Sequence, residues 1–68
     1  MKIEQYDIVE LVEDLNIYLK KGMRGTVLEK FSDHDFEIEV LDSNGNSIHF
    51  GSEYTFTVKE EQINKIYS

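Results

Sequence analysis

Cysteine, proline and tryptophan are absent from the 68-residue sequence, and histidine occurs only twice. Without cysteine there is neither a disulfide nor a thiolate to hold zinc, the two usual supports of so small a domain. A fold of this size buries only about 60% of the surface its unfolded chain exposes, so stability must come from one compact apolar core or from a partner. No apolar run approaches the roughly 20 residues that cross a bilayer, and no basic-then-apolar leader opens the chain. The expected location is the reducing cytoplasm, with no membrane attachment. Positive charge is scarce as well: 7 Lys+Arg stand against 14 Asp+Glu, a formal charge of −7. Nonspecific binding to nucleic acid or to anionic lipid depends on Lys and Arg, and this balance argues against both. What is present, 40% hydrophobic and 12% aromatic residues, is ordinary for a globular chain. One domain over residues 1–68 is expected.

The second half reads as β. Gly25 to Phe31 is a run of β-branched and apolar residues that stops at Ser32-Asp33-His34-Asp35, a cluster with turn chemistry. Phe36-Glu37-Ile38-Glu39-Val40 alternates strictly, with Phe36, Ile38 and Val40 on one face and Glu37 and Glu39 on the other. Asn44-Gly45, between apolar runs, is a hairpin signal because both residues tolerate positive φ. Ile48 and Phe50 are assigned to the return strand, Gly51-Ser52 to a bend, and Tyr54 to Val58 to a further alternating strand. Lys59 to Gln62 suits a short helical turn, which leaves Ile63 to Tyr67 as a last short strand or tail.

The first third supports two readings. Ile8, Leu11, Val12, Leu15, Tyr18 and Leu19 recur at helical spacing, Asp7 with Glu10 resembles a capping box, and Gly22 follows Lys20 and Lys21 like a helix stop. These local rules favour a helix over 8–20 and an α+β fold. The other reading makes Asp7 to Val12 a strand with Val9 and Leu11 inward, followed by a long loop that drops Leu15 and Leu19 onto the end of a barrel.

The series Tyr6-Asp7-Ile8-Val9-Glu10-Leu11, Asp14-Leu15, then Lys21-Gly22-Met23-Arg24-Gly25-Thr26-Val27 resembles a family of small bacterial proteins catalogued as domain of unknown function 4926. Members carry a Y-D-x-V-x-L opening, a D-L-P step, a K-x-G-D-x-G-T-V turn, an alternating V-E-F strand and a D-x-D-G hairpin. The resemblance covers nearly the whole chain and is most specific at Asp7 and at Gly22 to Val27. Asn16 stands where the family usually has proline, and Met23 where it usually has aspartate. The resemblance implies an all-β fold, a small SH3-like five-stranded barrel with a long first loop and a short helical turn near the C-terminus. It also places residues 7–12 in a strand. Closing a sheet in this way removes exposed strand edges. Gly22 and Gly25 then flank a tight corner that needs positive φ or close backbone approach.

Catalytic chemistry has little material. Ser43 and Ser52 lack a strained elbow and an adjacent base, and His34 and His49 fall in different elements. Asp33-His34-Asp35 offers metal-ligand types, but three consecutive residues do not converge on one ion. Asp42, Asn44, Asn46 and Glu53 match positions of a calcium loop, yet Ser47 replaces its obligatory glycine and strands flank it. No catalytic residue, cofactor or metal is therefore expected, and the protein is read as a non-enzyme.

Acidity is the leading functional signal. Glu10, Glu13 and Asp14 gather around the first loop, and Glu37 and Glu39 line one strand face, a pattern that also serves solubility and blocks edge pairing. As an interface it suits a basic protein partner, because opposite potentials speed encounter. Tyr18 and Tyr54 are the amphipathic anchors assigned to it, with Tyr6 and Tyr67 as further candidates. The expected function is a protein-binding module of the immunity or antitoxin type, neutralising a basic toxin through Glu10, Glu13, Asp14, Tyr18, Glu37, Glu39 and Tyr54. An accessory module docking on a larger complex through the Gly22 to Gly25 corner is the second reading, and an RNA-binding barrel the third. A homodimer also stays open for so small a core.

Overall fold

The protein is seen here as a computed structural model that describes residues 2–49 and 52–67. Its strands are β1 (Ile8–Leu11), β2 (Arg24–Lys30), β3 (Asp35–Leu41), β4 (Thr55–Lys59) and β5 (Ile63–Tyr67), with a 3₁₀ turn at Glu60–Gln62. They form one antiparallel sheet in the order β4-β3-β2-β1-β5. The fold is all-β, and the 3₁₀ turn carries the chain from one edge strand to the other. No described segment is a helix over 8–20. Nor is any helix long and apolar enough to cross a membrane.

Alternation builds the core. Val9 and Leu11 of β1, Val27 of β2, Phe36, Ile38 and Val40 of β3, Val58 of β4 and Ile63 of β5 are all buried, joined by Ile3 and Leu19 from outside the strands. The helical stripe of residues 8–19 is real, but tertiary pairing overrides it. In a strand, Val9 pairs with β2 and β5, and Leu11 pairs with β5 and bonds to Gly22 and Met23 on its other side, so both satisfy their backbone groups. Residues 12–23 then form the long first loop, tied at its base by Leu11 N–H to Met23 O at 2.8 Å and Gly22 N–H to Leu11 O at 2.8 Å. Leu19 inserts from this loop into the core, and Leu15 packs beside it.

Both departures from the family pattern have local substitutes. The Asn16 side-chain oxygen accepts from Tyr18 N–H at 2.8 Å and Leu19 N–H at 2.9 Å, an Asx turn that stiffens the loop where proline would have done so. Met23 packs against the core, and its sulfur accepts from Lys20 N–H at 3.4 Å.

The two corner glycines serve different ends. Gly22 has φ +95°, a conformation that other residues rarely adopt, whereas Gly25 sits between Val9 and Val40 in the sheet with no room above it. A Cβ on Gly25 would collide with the Glu39 carbonyl oxygen. Because that neighbour is backbone in the central strand, Gly25→Ala is expected to cost about 2 kcal/mol in chemical denaturation. A variant as stable as the wild type would show that the β2–β3 spacing is looser than this.

Two details depart from the sequence expectation. The tip of the β3 hairpin uses positive φ at Gly45 alone, φ +83°. Gly45 N–H bonds to Asp42 O and Asp42 N–H to Asn46 O, a three-residue loop with an αL glycine rather than a two-residue turn. Beyond it the return strand amounts to one bridge, Leu41 to Ser47, with Ile48 N–H on Val40 O. β4, starting at Thr55, takes over the pairing with β3. Phe50 and Gly51, assigned above to the return strand and bend, lie outside the described residues, as does the side chain of Tyr67.

Candidate interaction surface

The solvent face of the sheet can be read from the strand registers. Across it run Glu10, Arg24 and Leu41 in one row, Ile8, Thr26, Glu39 and Thr55 in the next, and Glu29, Glu37 and Thr57 in a third. Glu29 joins this face through a β-bulge. Val27 pairs with Ile38 and Glu29 with Glu37, so Leu28 is an extra residue that shifts the alternation by one. The bulge sets two carboxylates directly opposite each other, an unfavourable cross-strand pair.

The distribution of ion pairs makes this face unusual. Lys2, Lys20, Arg24, Lys30, Lys59 and Lys65 are each matched to a carboxylate, drawn from Glu4, Asp7, Glu10, Asp14, Asp33 and Asp35. Glu60 faces His34. The acids with no ion pair among the described residues are Glu13, Glu29, Glu37, Glu39, Asp42, Glu53 and Glu61. Three of these seven share the solvent face of β2 and β3. Glu39 is further held in place by the Ser47 hydroxyl, which donates to its Oε2.

A groove of about 920 Å³ lies against this region. Leu15, Leu19, Leu28 and Phe56 supply its apolar lining, Glu29, Glu37 and Glu53 its carboxylates, and Tyr54 an exposed ring. The ring centroid of Tyr54 is 5.9 Å from that of His49. The groove therefore joins the first loop to the acidic strand face.

The seven residues assigned from sequence fall into three places. Glu10, Glu37 and Glu39 share the sheet face, but Glu10 is occupied by Arg24, with Nε at 3.6 Å. Glu37 and Tyr54 line the groove together. Glu13, Asp14 and Tyr18 lie in the first loop, where Asp14 serves the loop itself by accepting from Lys21 N–H at 2.8 Å and pairing with Lys20 at 3.7 Å. Sequence reading missed Glu29, Glu53 and the exposed Ile17 beside Tyr18. The adjacent apolar pair Val27-Leu28, which breaks alternation, was the available signal for Glu29. Glu53 and Ile17 had none.

Next to the Glu29–Glu37–Thr57 row, a polar clasp joins the β2–β3 turn to the 3₁₀ turn. Glu60 N–H donates to His34 O at 2.9 Å, His34 Nδ1 meets Glu60 Oε1 at 3.0 Å, and Lys59 Nζ meets Asp35 Oδ1 at 2.6 Å. The Glu60 carboxylate, with Asp33 and Asp35 behind it, raises the His34 pKa above the ordinary 6.5. Lys59, then Ser32, hold Asp35 below its ordinary 3.8. The His34 contribution to stability is present in full below pH 6.5 and is lost as pH rises through the raised folded value. The pair is exposed, so its contribution is small. In an NMR titration His34 should titrate above 6.5, and Glu60→Gln should bring it back. A midpoint unmoved by Glu60→Gln would contradict the clasp.

Among the described residues no group of three or more His, Asp or Glu side chains gathers as a metal site. Asp42 of the calcium-like series spends its Oδ1 on Asn44 N–H and Asn46 N–H, at 2.8 and 3.0 Å, closing the hairpin tip. A family model described as a domain of unknown function (DUF4926) matches residues 5–65. No curated protein and no solved structure matches the chain.

Proposed function

The chain belongs to that family, and from this premise we propose that it is a non-enzymatic protein-binding module whose face of Glu29, Glu37 and Glu39 holds a basic partner protein. The observation that carries the reading is the placement of uncompensated charge. Six of the seven Lys and Arg residues are matched to other carboxylates, and three of the seven acids left over, Glu29, Glu37 and Glu39, lie together on one strand face beside a groove. Opposed carboxylates cost stability in the free protein, and a basic partner converts that cost into attraction. In its most specific form the module is a cytoplasmic immunity or antitoxin-type protein that covers a basic toxin. An RNA role is disfavoured, since among the described residues only Lys21 is a cation without an ion pair.

The test is affinity purification from the source cell with two baits in parallel, the wild type and the Glu37→Lys/Glu39→Lys variant. The expected result is a basic protein retained by the first and lost from the second. Identical retention by both baits would reject this face. The accessory-module reading has its own observation, a separate groove of about 710 Å³ lined by Lys20 to Arg24 and by Leu41 to Ser43. It predicts retention that survives the charge reversal and is lost with Met23→Glu.

A further inference from the structure

β4 is an edge strand of the sheet, and the groove of about 920 Å³ follows it: Ser52 to Thr57 line the groove without a gap. A cleft over one face of a strand meets every second residue, so contact with Thr55, Phe56 and Thr57 in succession puts this one along the outer margin of β4. Its two flanks therefore belong to opposite faces of the sheet. Phe56 pairs with Ile38 on the core side, where Leu15 of the first loop also packs, and Thr57 pairs with Glu37 on the solvent side. The β3–β4 ladder shows which backbone groups turn to that margin. Glu60 N–H donates to His34 O at 2.9 Å, so Phe56 and Val58, in step with Glu60, exchange their bonds with Ile38 and Phe36 of β3. Thr55 and Thr57 are out of step and direct N–H and C=O outward. Lys59, next in their series, gives its N–H to Gln62 Oε1 at 2.8 Å. Among the described residues no hydrogen bond reaches the outward groups of Thr55 and Thr57. We propose that this margin takes up an extended segment of the basic partner protein as an added strand, one in which basic and apolar residues alternate. The inference rests on the protein-binding reading above and names the form in which the partner is held.

An alternating strand answers each part of the margin. Open N–H and C=O groups call for main chain, which supplies affinity in strand addition whatever the side chains are. The pleat sends alternate side chains of an added strand to opposite faces, as a groove with unlike flanks requires. Apolar side chains enter on the core side beside Phe56 and Leu15. Those on the solvent side lie beside Thr55 and Thr57, which are short enough for a lysine or arginine stem to pass over them toward Glu37 and Glu39 in β3. A second copy of this chain fits poorly. Pairing β4 with β4 would set two rows of Glu37 and Glu39 side by side on chains of formal charge −7.

The probes are acetyl-Arg-Val-Lys-Val-Arg-amide, its block-ordered counterpart acetyl-Arg-Arg-Lys-Val-Val-amide, and the first peptide N-methylated at every residue. Each is titrated into the ¹⁵N-labelled full chain by NMR. The alternating peptide should give saturable shifts along β4 and slow the amide exchange of Thr55 and Thr57 about tenfold or more at saturation. The block-ordered peptide, of equal charge, should bind about tenfold more weakly, and the N-methylated one, which keeps the charges and loses the donors, not at all. Thr57→Pro removes a donor that the ladder with β3 does not use, so it should keep the dispersed spectrum and lose the peptide. If that variant does not fold, the N-methylated peptide asks the same question from the partner's side. Saturable shifts without protection of Thr55 and Thr57, equal binding of the block-ordered peptide, or no saturation would each overturn the proposal. So would protection of these amides that rises with protein concentration in the absence of peptide, since a second copy would then hold the margin. If the two baits still differ while the alternating peptide fails, the acidic-face reading survives and only this inference falls.

Discussion

Asp7→Ala is expected to lower stability by about 3 to 5 kcal/mol, the cost of breaking a buried ion pair by removing one member. Asp7 is 4% exposed, and its Oδ2 lies 3.2 Å from Lys65 Nζ, on a lysine side chain that is itself largely buried. The same Oδ2 accepts from Glu4 N–H at 2.8 Å. The residue thus closes the turn that enters β1 and ties β5 to it. A chain of this length has about 3 to 10 kcal/mol of stability in total, so the variant should be mostly unfolded or nearly so at 37 °C. Asp7→Asn keeps an oxygen for Glu4 and loses the charge, and should cost about 2 kcal/mol. In Asp7→Leu/Lys65→Leu no charge remains buried, and most of the loss should be recovered. Urea denaturation of the four proteins checks the series. A loss below 1 kcal/mol for Asp7→Ala would mean that the pair is hydrated rather than buried.

Phe36→Ala should cost about as much, roughly 3 to 5 kcal/mol, by a different route. Phe36 is fully buried and is the largest side chain in the core. It lies in β3 between Lys30 of β2 and Val58 of β4, one residue in from the start of the strand. Truncation removes apolar contact and leaves a void that two flanking strands hold open. Phe36→Leu should recover more than half of the loss. Thermal unfolding followed by circular dichroism distinguishes the cases, and an alanine variant melting within a few degrees of wild type would contradict the packing described. Together the two series separate an electrostatic tie at the β1–β5 seam from apolar packing beneath β3.

The parts of the fold legible in sequence are those where local pattern and tertiary demand agree. Phe36, Ile38 and Val40 alternate because β3 has one face on the core, and the register with β2 and β4 bears this out. The short turn after Val58 was legible too, while Ile63 to Tyr67, open between strand and tail, is a strand that pairs with β1. Residues 8–19 were ambiguous because Leu11, Leu15 and Leu19 are all apolar at helical spacing, yet they reach the core from a strand, a loop bend and a loop insertion. Only pairing with distant β2 and β5 decides between the two, and a local rule has no access to it. Asp7 illustrates the same limit. It resembled a helix cap, and its side chain instead looks back to Glu4 and across to Lys65.

The acidic surface was legible in kind and incomplete in membership. Glu37 and Glu39 could be placed on one face from β3 alone. That Glu10 is matched by Arg24, and Asp14 by Lys20, depends on registers and loop closure. Glu29 reaches the face only through the bulge at Leu28, and Glu53 reaches the groove only because the chain returns there before β4.

The decisive measurement is the association rate of the purified partner with the wild type and with Glu37→Lys/Glu39→Lys across a range of salt concentrations. Steering by the strand face predicts that the reversal slows association about tenfold or more at low salt and flattens its dependence on ionic strength. An unchanged rate with an unchanged salt slope would show that the partner is gripped elsewhere.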